Sequence, residues 1–460
     1  MRFLTIGIGH CGGKIASTFK SAAMNEKHLI MDVCGINTDK TDLASHDEIP
    51  AENKLLVGTG KGAAKDWKEG FHAGSEAKNN LYNMIRKLLK PETDIIMLAL
   101  GEGGGTGSGM APIIAEMIGD LGRECIITAT LPFQMESVRT KINAAKGLDM
   151  LYREEAVKAL ILIDNDKIVA HYPDKVLTEA YQEVNKTTVN TFINLLKLAN
   201  TPSQADRVDE SELCSIFNYP GFATLANYRS YANMVSGLDS MLKHSWEGSL
   251  FADVDPNSAA GALLGVYGPS NMFTTTQVDK LRGTFKDMLV GKDAMLGVYP
   301  VDHCRWVSYV GIMTGLDVPL KVKELLDTAR EEHQSHEQVI EERKAQKAMG
   351  LGFDLGTELT KPVKNPPQNL FLSKPNSRRK IDLESKASFA ITSGRDISGS
   401  LKKTISLLQG LRMQEMSEYE LVKKIQGRID ISEEEAAACI VHLKEVGSII
   451  QPRTGMLKIL

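Results

Sequence analysis

No apolar run in this 460-residue chain approaches the roughly 20 residues that a helical membrane span requires, which argues against an integral helical membrane protein. The chain opens Met1-Arg2-Phe3-Leu4-Thr5-Ile6, read as a strand from the third residue; this leaves no room for a signal peptide, and a cytoplasmic location is expected. Cysteine is sparse. Cys11, Cys34, Cys125, Cys214, Cys304 and Cys439 are scattered, with no CxxC and no His at metal spacing, so neither a disulfide framework nor a metal cage is expected. Charge of one sign is lacking too: 54 Lys and Arg against 58 Asp and Glu leave −4, which excludes a general nucleic-acid coat but not one local basic segment. GxxxxGK[ST] occurs nowhere, which excludes a Walker-type phosphate loop. The chain is too long for a single core, so two or three domains are expected.

Up to about residue 165, short apolar runs (Phe3–Gly7, Leu29–Ile36, Asp94–Leu100, Cys125–Leu131, Ala159–Ile163) alternate with helical patterns at 13–24, 74–90, 108–121 and 137–152. Such alternation predicts an α/β fold, a parallel sheet with helices on both faces. A long helix is predicted at 175–199. Strand-like runs Gly261–Tyr267, Ala294–Val298 and Trp306–Thr314, with a helix near 277–290, predict a second, α+β domain over 200–335. Residues 336–395 read as the rest of a charged helix (334–347) and a linker with four prolines between Pro362 and Pro375.

Order is predicted to return at 396–460: helical patterns at 397–411, 417–426 and 432–446, then two short strands joined through Arg453-Thr454-Gly455, an order that resembles a winged helix. Residues 351–460 carry a net +4 and residues 1–350 a net −8, which supports separate units.

Two glycine clusters carry the chemistry. Gly7-Ile8-Gly9-His10-Cys11-Gly12-Gly13-Lys14 follows the first strand and opens the first helix. Without Cβ atoms, its backbone N–H groups can approach a phosphate. Alone this pattern also suits a dinucleotide fold, with Asp32 placed as a ribose-binding acid. The second cluster, Gly101-Glu102-Gly103-Gly104-Gly105-Thr106-Gly107-Ser108-Gly109, has five glycines among the seven residues 103–109. Such a loop serves no core packing and presents backbone donors and two hydroxyls at a helix N-terminus. Two such loops on neighbouring strands imply a polyphosphate held from two sides.

GGGTGSG at 103–109 is similar to the signature loop of the tubulin/FtsZ superfamily, which this chain resembles over about residues 1–330, nearest in loop wording to the archaeal CetZ-like branch or another noncanonical FtsZ-like one. The resemblance implies a polymerising cytoskeletal GTPase with GTP/GDP as ligand and Mg2+ held mainly by the phosphates. It implies a first phosphate loop of Gly9, His10, Cys11 and Gly12, a second at Asn37 within Ile36-Asn37-Thr38-Asp39, and a third, γ-phosphate-sensing loop with Gly60, Gly62 and Ala63. The signature loop contributes Gly103, Gly104, Gly105, Thr106, Gly107 and Ser108. Glu136, in Pro132-Phe133-Gln134-Met135-Glu136, corresponds to the ribose-binding acid. Thr140 stands where many FtsZ sequences have Arg, with Arg139 beside it; His10 stands where Gln or Gly is usual.

The resemblance further implies that Asn165 belongs to the turn below the nucleotide, and that Tyr181 stacks on guanine while Asn185 reads its edge; at i and i+4 the two share one helix face and can meet the same planar base. Asp209 and Glu212 match the synergy loop, whose acids complete hydrolysis in the next subunit's pocket. Read without the resemblance, two acids opening a helix are also a common cap.

The winged-helix-like segment has Arg412, Lys423, Lys424, Arg428 and Arg453 as its basic set, and DNA binding and protein docking remain equally open. Ser377-Arg378-Arg379-Lys380 is a short basic run in the linker. Three functions compete: a filament-forming GTPase, a non-polymerising nucleotide-binding regulator acting on DNA through the tail, and a dinucleotide oxidoreductase. The second glycine loop, and the lack of a hydride-transfer constellation, argue against the third. Division, cell shape and DNA partition all stay open as the process served.

Overall fold

The computed structural model describes residues 1–203, 205–247 and 249–349, and beyond them 404, 415–429, 431, 436, 439–441, 443, 449–453 and 456–459. The chain divides into two units, Met1–Gly352 and Phe353–Leu460.

In the first unit the apolar runs become the strands of one ten-stranded sheet. They are β1 (Arg2–Ile8), β2 (Ile30–Asn37), β3 (Lys54–Leu56), β4 (Ile95–Gly101), β5 (Cys125–Leu131) and β6 (Val157–Asp164), followed by β7 (Gly221–Tyr231), β8 (Gly261–Pro269), β9 (Asp293–Val301) and β10 (Trp306–Leu316). The order is β3-β2-β1-β4-β5-β6-β7-β10-β8-β9. All pairings from β3 to β7 are parallel, as expected of strands joined by crossover helices. β10 pairs antiparallel with both β7 and β8, which makes the mixed α+β part. The short parallel pairing of Ala159–Ile161 with Gly221–Ala223 carries the sheet without a break across the expected boundary near 200.

Alternate side chains divide the core into two layers. Leu4, Ile6 and Ile8 of β1, with Ile96, Leu98 and Leu100 of β4, pack with Met110 and Ile114 of the helix Gly105–Asp120 and Leu148 of the helix Val138–Arg153. Phe3, Ile95, Met97 and Ala99 point the other way, to Ile15 and Phe19 of the helix Gly9–Ala23 and to Phe192 and Leu195 of the core helix Leu177–Leu198. Phe19 stacks on Phe3 at 5.9 Å and meets Phe192 edge-on at 5.8 Å, which locks these elements together.

Several boundaries differ from expectation. Both glycine-led helices begin inside their glycine clusters, at Gly9 and Gly105. The pattern at 74–90 is two helices, Trp67–Glu76 and Lys78–Leu88. The charged pattern at 334–347 is the distal part of one 30-residue helix, Leu320–Met349, whose Glu332 pairs at 2.6 Å with the buried Lys141 of the helix Val138–Arg153.

In the second unit, the helix Glu418–Ile429 buries Leu421, Val422 and Ile425 on one face. The strands β11 (Glu415–Ser417), β12 (Ile449–Arg453) and β13 (Met456–Ile459) form an antiparallel sheet with β13 in the middle. The linker with its basic run 377–380, the helix expected at 397–411 apart from Thr404, most of 432–446, Arg412 and the turn residues Thr454 and Gly455 lie outside the described residues.

Candidate functional site

The strand order reverses between β1 and β4, where one crossover runs outward to β2 and the other to β5. In a doubly wound sheet a crevice opens at the carboxyl ends of the two strands flanking such a point. Each of these strands feeds directly into a glycine loop and a helix. A cleft of about 550 Å³ opens there, within the range of small-molecule sites.

Side-chain caps are present on some helices of this unit and absent from others, such as Lys78–Leu88 and Leu177–Leu198; the two that open onto the cleft are uncapped. Asp39, Asp66, Ser137 and Thr274 each cap the helix that follows by accepting a backbone N–H. The helices Gly9–Ala23 and Gly105–Asp120 begin after Ile8 and Gly104, and neither has a side-chain cap. Their first-turn N–H groups face the cleft with the positive ends of two helix dipoles, the chemistry of an anion site. Gly103 is needed in this geometry: its φ is +92°, and a Cβ there would lie 2.4 Å from Thr140 Cγ2.

Polar side chains surround these donors. Thr38 and Thr106 hydroxyls meet at 2.6 Å, joining the second loop to the glycine-rich one. Asn37 is buried and its Oδ1 accepts from Asp39 N, while its Nδ2 has no partner, an unsatisfied donor at the cleft wall. His10 Nδ1 lies 3.2 Å from Asp42 Oδ1; burial and the Lys14 ammonium lower its pKa, against the pull of Asp42 and Asp39. Behind it, burial pushes His46 down to about 4, so this ring is neutral at physiological pH. Cys11 Sγ sits 3.4 Å from Thr130 Oγ1, and burial pushes the thiol up, so it is not a reactive thiolate.

At the opposite end, Tyr181, Val184 and Asn185 present one face of the core helix to the cleft, and Phe133 braces the Tyr181 ring edge-on at 6.4 Å. Glu136 and Asn165 lie beside this apolar wall. The arrangement suits a planar base at one end and several phosphates at the other.

Of the residues expected from sequence, the cleft wall contains Gly9, His10, Cys11, Asn37, Gly62, Ala63, Gly103, Gly104, Gly105, Thr106, Gly107, Glu136, Thr140, Asn165, Tyr181 and Asn185. Four expected binders lie outside it. Gly12 is pressed against β4, where a Cβ would come within 1.9 Å of Ala99 O. Gly60 accepts from Lys40 N in the neighbouring turn. Ser108 is buried and receives Gly103 N on its hydroxyl at 2.8 Å, which shapes the loop from behind. Arg139 is exposed on its helix.

The wall also includes residues that sequence reasoning did not single out as binders: Lys14, Thr38, Asp39, Asp42, Lys65 and Glu102. Thr38, Asp39 and Lys14 sat in recognised loops. Nothing in the sequence marked Lys65.

Asp209 and Glu212 are not part of this cleft. They open the helix Glu210–Ser215 in a reciprocal capping box: Asp209 Oδ1 accepts from Glu212 N at 2.8 Å, and Glu212 Oε2 from Asp209 N at 2.9 Å. The hydrogen bond from the Glu212 amide, with that from the Ser211 hydroxyl, holds the Asp209 carboxyl below its usual range. Both acids remain partly accessible.

Comparison with known proteins agrees with this geometry. The Tubulin/FtsZ family, GTPase domain, matches residues 2–173. The tubulin-like protein CetZ of Pyrococcus horikoshii is 30% identical over 339 residues, spanning 72% of this chain and 90% of that protein. CetZ1 from Haloferax volcanii, solved as a GDP-bound monomer, is similar with a TM-score of 0.63 at 24% identity over 72% of this chain and 99% of that one. CetZ2 of the same organism, solved as a GTPγS-bound protofilament, gives 0.63 at 22% identity over 73% and 100%. Identity of 30% across nine tenths of a relative, together with the doubly wound sheet and its paired glycine loops, leads to one conclusion: the chain belongs to the tubulin/FtsZ family.

Proposed function

We propose that the protein binds and hydrolyses GTP and assembles head to tail into filaments in which each subunit completes its neighbour's site. The observation that carries the binding step is the pair of uncapped helix N-termini converging at the β1/β4 crevice. The triphosphate lies across them, Glu136 takes the ribose hydroxyls, Tyr181 stacks on guanine and Asn185 reads its edge. Among the described residues no cluster of three or more His, Cys, Asp or Glu is placed to hold a metal. The oxygen donors at the phosphate end, Thr38, Thr106, Asp39 and Asp42, nevertheless suit Mg2+. An ion carried on the phosphates would neutralise their charge.

Phosphoryl transfer needs positioning and charge stabilisation, and this cleft supplies both. Its acids are otherwise occupied: Asp39 and Asp42 are engaged with a helix cap and His10, Glu102 is buried, and Glu136 stands at the ribose end. Asp209 and Glu212 lie outside the cleft, partly accessible, and a second copy docking head to tail would deliver them. A heterologous contact of this kind propagates into an open filament. Hydrolysis then waits for assembly and weakens it afterwards, in division, shape control or DNA partition.

The test is the GTPase rate per subunit as the protein is diluted. A rate that collapses below a critical concentration, with GTP-dependent light scattering above it, is expected. A rate per subunit that stays constant on dilution would instead favour a nucleotide-binding regulator that never polymerises.

For the second unit we propose a winged-helix-like module that contacts DNA or docks a protein, supported by the helix Glu418–Ile429 and the antiparallel sheet containing β12 and β13. Deleting 381–460 is expected to leave the GTPase rate within about twofold while changing cellular location. An insoluble truncation would show that the units do not fold independently.

A further inference from the structure

Lys65 stands at the cleft wall in a backbone conformation that lysine rarely adopts. Ala64 and Lys65 have φ of +48° and +52°, and His303 is the only other described non-glycine residue with positive φ. Left-handed conformations cost about 1 kcal/mol or more per residue and persist where surrounding structure imposes them. Here the imposing group is Asn143. Its buried amide donates to Lys65 O at 3.0 Å and to Gly103 O at 3.1 Å, tying the third loop to the glycine-rich one. Asp66, the next residue, packs against Gly105 at the start of the phosphate helix, where a Cβ on Gly105 would lie 2.7 Å from Asp66 O. The backbone of Lys65 is therefore clamped beside the phosphate end.

Its side chain is not clamped. It is 66% exposed and reaches back to Glu136 Oε2 at 3.7 Å. An exposed pair at that distance contributes little, so exchanging it for another anion is cheap. Only Lys14 and Lys65 supply permanent cations to the wall, against the carboxyl groups of Asp39, Asp42, Glu102 and Glu136.

We infer that Lys65 is an exchanging cation: it pairs with Glu136 when the cleft is empty, and turns to the terminal phosphate of a nucleoside triphosphate once the ribose hydroxyls occupy Glu136. Lys65 thereby distinguishes the triphosphate from the diphosphate, and its strained backbone aims it. The inference rests on the GTP-binding reading above and adds a specificity-determining residue to it.

The test measures GTP and GDP affinities of the full-length protein by displacement of a fluorescent nucleotide, below the assembly concentration and at fixed salt. Lys65→Gln is expected to weaken GTP by about ten- to a hundredfold, the value of one charge-assisted hydrogen bond, with GDP changed by less than about twofold. Lys65→Arg is expected to keep the wild-type ratio of the two affinities. Equal losses for both nucleotides in Lys65→Gln, or an unchanged ratio, would overturn the inference while leaving GTP binding in place. Wild-type protein that binds neither nucleotide would overturn the GTP-binding reading and this inference together.

Discussion

Replacing Glu212 by Gln, or Asp209 by Asn, is expected to lower GTP turnover by about a hundredfold or more in assembled protein, with GTP affinity and melting temperature almost unchanged. The capping box dictates these choices. Alanine at Asp209 would remove an N-cap worth about 1 kcal/mol and confound loss of catalysis with loss of fold. Asn is an equally good N-cap, and Gln at the third helical position still reaches back to the Asp209 amide. Each substitution thus removes the negative charge that would orient the attacking water and keeps the local structure.

Complementation separates the two possible locations of the acids. Gly103→Ala should cripple nucleotide binding, because the new Cβ meets Thr140 at a φ that alanine resists. Mixed with Glu212→Gln, it should restore turnover: the binding-competent pocket of one subunit then faces intact acids of the other. Absence of rescue, or loss of GTP binding in Glu212→Gln itself, would sink the shared-site reading.

The same capping box shows how far sequence carries here. Two acids three residues apart admitted a structural and a catalytic reading, and the structural one is realised in the geometry of the single chain. The catalytic reading concerns a second copy and is not in conflict with it.

Elsewhere legibility followed the physical origin of the signal. β1, β2, β4, β5 and β6 are buried on both faces, so each appears as a nearly continuous apolar run. β7 escaped notice because only its first half is of that kind: Phe222–Ala226 is buried, whereas Asn227, Arg229 and Ser230 dilute the rest. The glycine loops were legible as cleft-lining segments because missing side chains at a strand-to-helix turn have few other uses. The extent of the cleft wall was not, since Gly12 and Ser108 lie outside it and hold strand and loop in place. Lys65 and Asn143 could not have been read at all. They meet only because the third loop and the helix Val138–Arg153 both converge on Gly103, a tertiary fact with no trace in local spacing.

Glu102 is the clearest departure from local logic, and it yields the last prediction. It lies between Gly101 and Gly103, its carboxyl is buried, and neither oxygen has a hydrogen-bond partner. The side chain presses on the helix Val138–Arg153, where a Cβ on Gly147 would come within 2.4 Å of Oε2. Burial pushes the carboxyl up to about 8. Between pH 4.5 and 8 the folded chain therefore holds a proton that the unfolded chain has released, so stability falls as pH rises through that window and levels off above it.

The full loss is on the order of 5 kcal/mol. Glu102→Gln, with the same shape and no charge to bury, is expected to flatten this contribution and be several kcal/mol more stable than wild type at pH 8.5, with little difference at pH 5. Ionised Glu102 would also place an anion under the loop proposed to receive the phosphates. GTP affinity should therefore fall through pH 8 in the wild type and hold steady in the variant. Denaturant unfolding and GTP titration at pH 6, 7, 8 and 9 would check both effects. Parallel pH profiles for the two proteins would mean that Glu102 is already ionised, with a partner supplied by solvent or by a shift of the loop.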